Sequence, residues 1–338
     1  MRDLNYTVAE TADAAIAQFA EAGGTARYIA GGTNIYDLMK LGIERPARLI
    51  DVSRIEGLNA IETEGDVLRF GANALMADVA ETDVVRDQYP VLAESLLKAA
   101  SHQLRNMATV GGNLLQRTRC MYFRNGAGSL STVGVYPCNK REPGSGCSAI
   151  GGLDRTQAVL GTSDACTAVA PGDWPVALTA LDAAIEIAGP DGTRTVPIAD
   201  FYRLPGDAPH REFNINPGEL VTAIIVRKTP AGRLSTYHKI RDRESYAFAL
   251  ASAAVALDME GDAVRGARIA LGGVATTPWR AGAAENIVAG RQLTPELALE
   301  AGEAAFTDAR PGAQNAFKIE LGARVIADAL MIAAQRRA

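Results

Sequence analysis

The sequence predicts a mixed α+β protein built from successive lobes, and three observations predict it. Helix and strand patterns alternate over about the first 57 residues. The stretch AAIEIAGPDGTRTVPI alternates apolar and polar residues around Pro-Asp-Gly, as a β-hairpin does. From about residue 223 a strand-rich meander gives way to helical patterns that continue to the end. These shifts place lobe boundaries at 1–57, 58–222 and 223–338, and 338 residues that are 48% apolar can fill several cores.

In the first lobe, VAETADAAIAQFAEAG has helical spacing and stops at Gly-Gly. RYIA reads as a strand running directly into GGTN, IYDLMKLG as a helix and ARLIDVS as a strand. The second lobe opens on VLRFGA, and PVLAESLLKAASHQL predicts one long helix leading into RNMATVGGNLL. WPVALTALDA reads as a helix, followed by the hairpin and by a strand, NINPGELVTAIIV, behind a Pro-Gly turn. The third lobe begins with strands and a meander across TYHKIRDRESYAFALASAAVALDMEGDAVRGARIALGGVA. Helices over TPELALEAGEAAF and FKIELGARVIADALMIAAQRR close the chain.

Composition removes several functions. With 34 basic against 39 acidic residues there is no electrostatic case for nucleic acid. The run AFALASAAVAL, Ala247 to Leu257, is shorter than the ~20 residues a bilayer requires and reads as a buried core helix. MRDLNYTVAE has no basic stretch followed by an apolar one, so no export signal is expected. His102, His210 and His238 are far apart and suggest no metal triad. Taken alone, Asp173 and Lys239 read as turn or surface residues, and KIRDRE as a solvated face. No Ser-His-Asp or Cys-His arrangement supports hydrolysis.

Two features can carry chemistry. The first is the bunching of all four cysteines, Cys120, Cys138, Cys147 and Cys166, in one window around CNKREPGSGC. Their C-x17-C-x8-C-x18-C spacing lacks the paired C-x2-C of common zinc modules. Disulfides, zinc and inert thiols remain open, while an iron–sulfur cluster on four thiolates is favoured. The second feature is a pair of glycine turns, IAGGTN (Ile29 to Asn34) and ATVGGN (Ala108 to Asn113). Each on its own can simply end a strand, but two converging would cradle a pyrophosphate on backbone N–H groups. GAGSLS and GSGCSA lack the third glycine of a Rossmann fingerprint, so a bound dinucleotide would need another fold.

AGGTNIYDLMKLG, LRNMATVGGNL, LGTSDACTAVAPGDWPVALTALDA, NPGELVTAIIV and ALGGVATTPWRA occur in this order along nearly the whole chain. Together they resemble the FAD-binding medium subunit of the molybdenum hydroxylases, the xanthine dehydrogenase and aldehyde oxidoreductase family. The resemblance implies an FAD-binding fold of the p-cresol methylhydroxylase/vanillyl-alcohol oxidase type, with two α/β subdomains. A C-terminal α+β domain as in carbon monoxide dehydrogenase flavoprotein would follow. It implies that Ala30, Gly31, Gly32, Thr33, Asn34 and Ile35, then Thr109, Gly111, Gly112 and Asn113, grip the FAD pyrophosphate. Asp173 matches an acidic cofactor contact, and Val221 and Lys239 match flavin-side positions.

The cysteine window is similar to a subset, the medium subunits of bacterial periplasmic aldehyde oxidoreductase and 4-hydroxybenzoyl-CoA reductase, and is closer to the former. In that subset an inserted loop, here about 118–168, carries a 4Fe–4S cluster, so Cys120, Cys138, Cys147 and Cys166 would be its ligands. Gln157 departs from a histidine seen in several relatives, at a position that is not a ligand.

The resemblance further implies a large molybdenum-cofactor partner that oxidises an aldehyde and a small partner with two 2Fe–2S clusters. Electrons would reach FAD here and leave to an external acceptor. Relatives of the 4-hydroxybenzoyl-CoA reductase or xanthine dehydrogenase type are alternatives. A free-standing flavin oxidase and a zinc-stapled structural or assembly protein are rivals from other classes. A periplasmic location, by co-export with a partner that carries the signal, is expected, with the cytoplasm as the alternative.

Overall fold

The computed structural model describes residues 4–125 and 134–336. The first lobe is β1 (Asn5–Val8), α1 (Ala12–Glu21), β2 (Ala26–Ile29), α2 (Ile35–Lys40) and β3 (Arg48–Asp51). Its strands form a parallel sheet in the order β1-β3-β2, pairing Ile29 with Asp51 at the end that feeds the first glycine turn. Thr11 caps α1 by accepting from the Ala14 N–H at 3.1 Å. Gly23 and Gly24, both at positive φ, end that helix. β1 has mixed exposure and no alternating pattern, so its sequence carries no strand signal.

The second lobe contains β4 (Ile61–Glu62), β5 (Val67–Gly71) and a run of short helices: α3 (Met76–Glu81), α4 (Asp83–Gln88), α5 (Pro90–Leu97), α6 (His102–Arg105), α7 (Val110–Leu114) and α8 (Met121–Arg124). After the cysteine segment come α9 (Trp174–Ala180), β6 (Ala184–Gly189), β7 (Gly192–Pro197), α10 (Ile198–Phe201) and β8 (Leu220–Arg227). The predicted hairpin is β6–β7, closing on Gly189 opposite Gly192. The antiparallel sheet has the order β4-β5-β8-β6-β7, so β8 is its central strand and carries this lobe past residue 222 to Arg227.

One expected helix is two. PVLAESLLKAASHQL breaks between α5 and α6, where Ala100 takes a φ of 49°. Ser101 then starts the next turn by accepting from the Leu104 N–H at 3.2 Å. Beyond this break, the residues after α6, Met107 and Ala108, lie against Gly31 of the first glycine turn.

The third lobe comprises β9 (Ser235–Ile240), β10 (Ala251–Glu260), β11 (Ala263–Gly272), β12 (Trp279–Arg280), α11 (Gly282–Val288), α12 (Pro295–Ala304) and α13 (Phe317–Gln335). Its antiparallel sheet has the order β12-β11-β10-β9. The segment AFALASAAVAL is therefore not a helix: from Ala251 it is β10. Helix α13 covers one face of that strand and α5 and α9 cover the other, so both faces are apolar and a period-2 pattern is erased. Among the described residues no helix is long and apolar enough to cross a membrane.

A buried lysine helps to join the third lobe to the cysteine segment. Lys318 on α13 is 1% exposed and donates from Nζ to the carbonyls of Gly273 at 2.6 Å and Thr156 at 3.4 Å. Burial pushes its pKa down from 10.5 to about 8. Folding thus favours the neutral amine, and stability relative to a non-titrating Lys318→Met variant should be flat below about pH 8 and rise between about pH 8 and 10.5. The expected rise is about 3 kcal/mol, at 1.36 kcal/mol per pKa unit. Chemical unfolding of both proteins across that range checks it; a difference that does not change with pH would refute it.

Candidate functional site

The two glycine turns meet backbone to backbone. A Cβ on Gly31 would lie 1.7 Å from the Met107 carbonyl oxygen, a contact only glycine allows. Gly32, at a φ of 71°, turns the chain away into α2. On the second loop, a Cβ on Gly111 would fall 2.7 Å from Ala72 Cβ, so Gly111 lets this turn rest on the end of β5. Thr109 then accepts from the Gly112 N–H at 3.1 Å and starts α7. Among the described residues, the N–H groups of Gly31, Gly32, Thr33 and Asn34 donate to no protein acceptor. Asn113 Oδ1 is likewise buried without a partner. The free N–H groups are donors an anion would engage, whereas the Asn113 oxygen is an acceptor that suits a donor on a ligand.

Two chambers of about 630 and 620 Å³ open on either side of this junction, and Thr33, Asn34 and Gly112 border both. The first is lined by Ala30 through Ile35 and Thr109, with Phe19, Tyr28 and Pro217 supplying apolar walls. The second is lined by Asn113 and Asp173, with Leu104, Tyr246 and Phe248. A ligand with two flat ends and an anionic centre matches this outline. Gly111 stands just behind the junction. Val221 is buried in the core of the second lobe and lines neither chamber.

Asp173 and Lys239 are not surface residues. Lys239 Nζ lies 2.9 Å from Asp173 Oδ2 behind the wall of the second chamber, and both side chains are buried. Tyr237 donates to Asp173 Oδ1 at 2.5 Å and lies 2.9 Å from Ser252 Oγ. Burial pushes Asp173 above the usual carboxylate range, against the Lys239 ammonium and the Tyr237 hydroxyl, which favour the carboxylate. KIRDRE is a solvated face only in part: Asp242, Arg243 and Glu244 are exposed, whereas Lys239 is buried and Arg241 half-buried. Lys239 and Arg241 both donate to the Lys98 carbonyl, and Asp242 borders the second chamber. A sequence hides this burial, because it depends on α5 packing over β9 and on Asp173 at the start of α9 reaching Lys239.

The four cysteines come together from a distance of 46 residues in sequence, Cys120 to Cys166. All four line one small cavity beside Tyr122 and Phe123. Cys138 and Cys147 face each other as an antiparallel bridge, and Asn139 staples their loop by accepting from the Gly146 N–H at 2.7 Å. Its amide also donates to the Ala165 carbonyl at 3.1 Å, next to Cys166. All four thiols are free of disulfides. Burial raises Cys120 and pushes Cys166 up to about 11.

N–H donors already address these sulfurs: the amides of Tyr122 and Phe123 and the Gln157 side chain at Cys120, and the Ala168 amide at Cys166. Such donors suit thiolate ligands. Among the described residues, no three His, Cys, Asp or Glu side chains are placed to grip a single ion. The four thiols together surround a space of about 10 Å³. Residues 126–133 of the expected 118–168 loop lie outside the described residues.

The cysteine pocket adjoins the second chamber. A cavity of about 210 Å³ between them shares Arg119, Asp173 and Phe248 with the chamber, and Cys120 and Gln157 with the pocket.

The fold and the paired turns define a dinucleotide-binding protein without a Rossmann motif. Residues 2–228 match the FAD binding domain in molybdopterin dehydrogenase, and residues 235–333 match the CO dehydrogenase flavoprotein C-terminal domain. The chain belongs to this family, as an FAD-binding medium subunit of the molybdenum hydroxylases. It is 46% identical to the aldehyde oxidoreductase FAD-binding subunit PaoB of Escherichia coli (strain K12), over 90% of each chain. It is 27% identical to the glyceraldehyde dehydrogenase medium chain of Sulfolobus acidocaldarius, over 87% of this chain and 84% of that one. A structure of carbon monoxide dehydrogenase from Hydrogenophaga pseudoflava superimposes with a TM-score of 0.77 at 26% identity, covering 100% of this chain and 99% of that chain. Membership in an FAD-binding family sets aside the colourless zinc-stapled scaffold.

Replacing Gly31 with Ala should force the two turns apart. The expected result is loss of flavin absorbance from the purified protein and destabilisation of at least about 3 kcal/mol, the upper range for overpacking. Gly24→Ala, where a Cβ meets nothing within 4 Å, is the control for a strained glycine outside the site. Retention of full flavin by Gly31→Ala would contradict the assignment.

Proposed function

We propose that this chain is the FAD- and 4Fe–4S-carrying electron-transfer subunit of a heterotrimeric molybdenum-dependent aldehyde oxidoreductase. Aldehyde oxidation would occur on a large molybdenum-cofactor partner, and a small partner with 2Fe–2S clusters would deliver the electrons. The similarity to an aldehyde oxidoreductase FAD-binding subunit along nine-tenths of the chain supports the substrate class. The observation that carries the cluster assignment is the pocket of four free thiols, reached by N–H donors and joined to the second chamber through one cavity.

Bound FAD supplies a centre that takes electrons singly and gives them up in pairs to an acceptor. The chain's residues would do the rest. Thr33, Asn34 and Gly112 would hold the pyrophosphate at the junction, with the N–H groups of Gly31 and Gly32 as donors. Asp173 would present one polar group to the second chamber, fixed in place by Lys239 and Tyr237. Phe248 would cover the apolar side against water, its ring held by the Arg119 guanidinium 5.1 Å from the ring centre. Arg119 is the chain neighbour of Cys120, so the same segment walls the chamber and ligates the cluster.

Metal analysis and visible spectra of the native complex test this reading. The intact protein should hold one FAD and the iron of one 4Fe–4S cluster in this chain. Cys147→Ser, at the most accessible of the four thiols, should lose that iron and keep the flavin. Native protein with flavin but no iron in this chain would sink the cluster assignment. A native complex whose flavin is not reduced by any aldehyde would sink the substrate class.

A further inference from the structure

We propose that Gln157 is a positioning residue that sets the redox potential of the centre held by Cys120. This rests on the 4Fe–4S reading of the four cysteines. Gln157 is 1% exposed, and its Nε2 donates to Cys120 Sγ at 3.5 Å. Among the described residues its Oε1, also buried, has no partner. An unpaired buried acceptor costs free energy, so the amide is kept here against that cost. Against a thiolate only the N–H edge of the amide is tolerable, because the carbonyl edge would oppose like charge. That fixes which way the amide faces.

The backbone around Gln157 is held as tightly as its side chain. Its N–H donates to the Asp154 carbonyl at 2.8 Å. Its own carbonyl accepts from Asn315 Nδ2 at 3.3 Å. The Asp154 carboxylate in turn takes the N–H groups of Ala313 and Gln314 at 2.7 and 2.8 Å. Residue 156 is tied to Lys318 through its carbonyl. The third lobe thus clamps residues 154–157 from outside the cysteine loop and holds the Gln157 backbone beside Cys120.

Adding one electron, and no proton, to an iron–sulfur centre increases the negative charge on its sulfurs. A donor to sulfur stabilises that reduced form and raises the potential. Gln157 is the side-chain donor to these sulfurs among the described residues; the other donors are backbone amides, which a side-chain truncation leaves in place.

The test is an EPR-monitored reductive titration of the whole native complex, with dithionite as the electron source. Gln157→Leu keeps most of the volume and removes the donor. Its centre should be about tenfold harder to reduce, which for one electron is a downward shift of about 59 mV. Iron and flavin content should match the native protein. Gln157→His, which restores an N–H donor, should recover part of the shift. An unchanged potential in iron-replete Gln157→Leu overturns the proposal.

If the leucine variant loses its iron, the native protein carrying glutamine labelled with ¹⁵N in the side chain decides the matter. Pulsed EPR of the reduced centre should show coupling to that nitrogen, and no coupling overturns the proposal. Native protein with flavin but no iron overturns both this proposal and the cluster reading beneath it. Iron with an unmoved potential overturns this one alone.

Discussion

The site depends on one contact, the approach of Gly31 to the Met107 carbonyl, where no side-chain atom can be accommodated. It brings together two loops from different lobes, one leaving a parallel sheet and one leaving a short helix. From it follow the placement of Thr33, Asn34 and Gly112 at the junction and the opening of a chamber on each side. Tyr28, donating to the Gly218 carbonyl at 2.7 Å, ties the two lobes together at the wall of the first chamber. Neither loop contributes a cation at the junction, so the recognition there is made of peptide dipoles and small hydroxyl and amide groups.

Charge enters from the third lobe and is kept behind the wall. Lys239 projects from β9 to meet Asp173 at the start of α9, and Tyr237 on the same strand adds a second bond to that carboxylate. Removing one partner of such a pair would leave the other buried and unpaired, which typically costs about 3–5 kcal/mol. The pair therefore joins the lobes as well as shaping the chamber. Glu94 and Lys98 on and beside α5 extend the join, accepting from the Tyr237 N–H and donating to its carbonyl.

Much of this was legible in the sequence. Gly-Gly turns are local events, and the α1, β2, α2 and β3 patterns that lead to the first of them depend on neighbours within a few residues. The hairpin at Gly189–Gly192 is legible for the same reason. What was hidden is tertiary. Nothing near Asp173 or Lys239 marks them as buried, because their cover comes from elements that are distant in the chain. The run around β10 is apolar on every side chain that matters, and such a run reads equally as helix or strand until both covering layers are known. The break at Ala100 was unreadable because alanine there adopts a conformation that its own propensity opposes. The cysteine spacing announced a shared ligand. Only the folded loops show which groups point at the sulfurs; the sequence marked Gln157 only as a departure from histidine, with no sign that it faces Cys120.

The clamp from residues 312–318 onto residues 154–157 also has a bearing on how the protein folds. The clamping partners lie 159 and 160 residues apart in sequence. Closing so long a loop costs chain entropy before its contacts offset it, so these hydrogen bonds form late compared with the local turns. The support behind Gln157 is thus a property of the assembled tertiary structure, and the cysteine segment cannot acquire it by local folding alone.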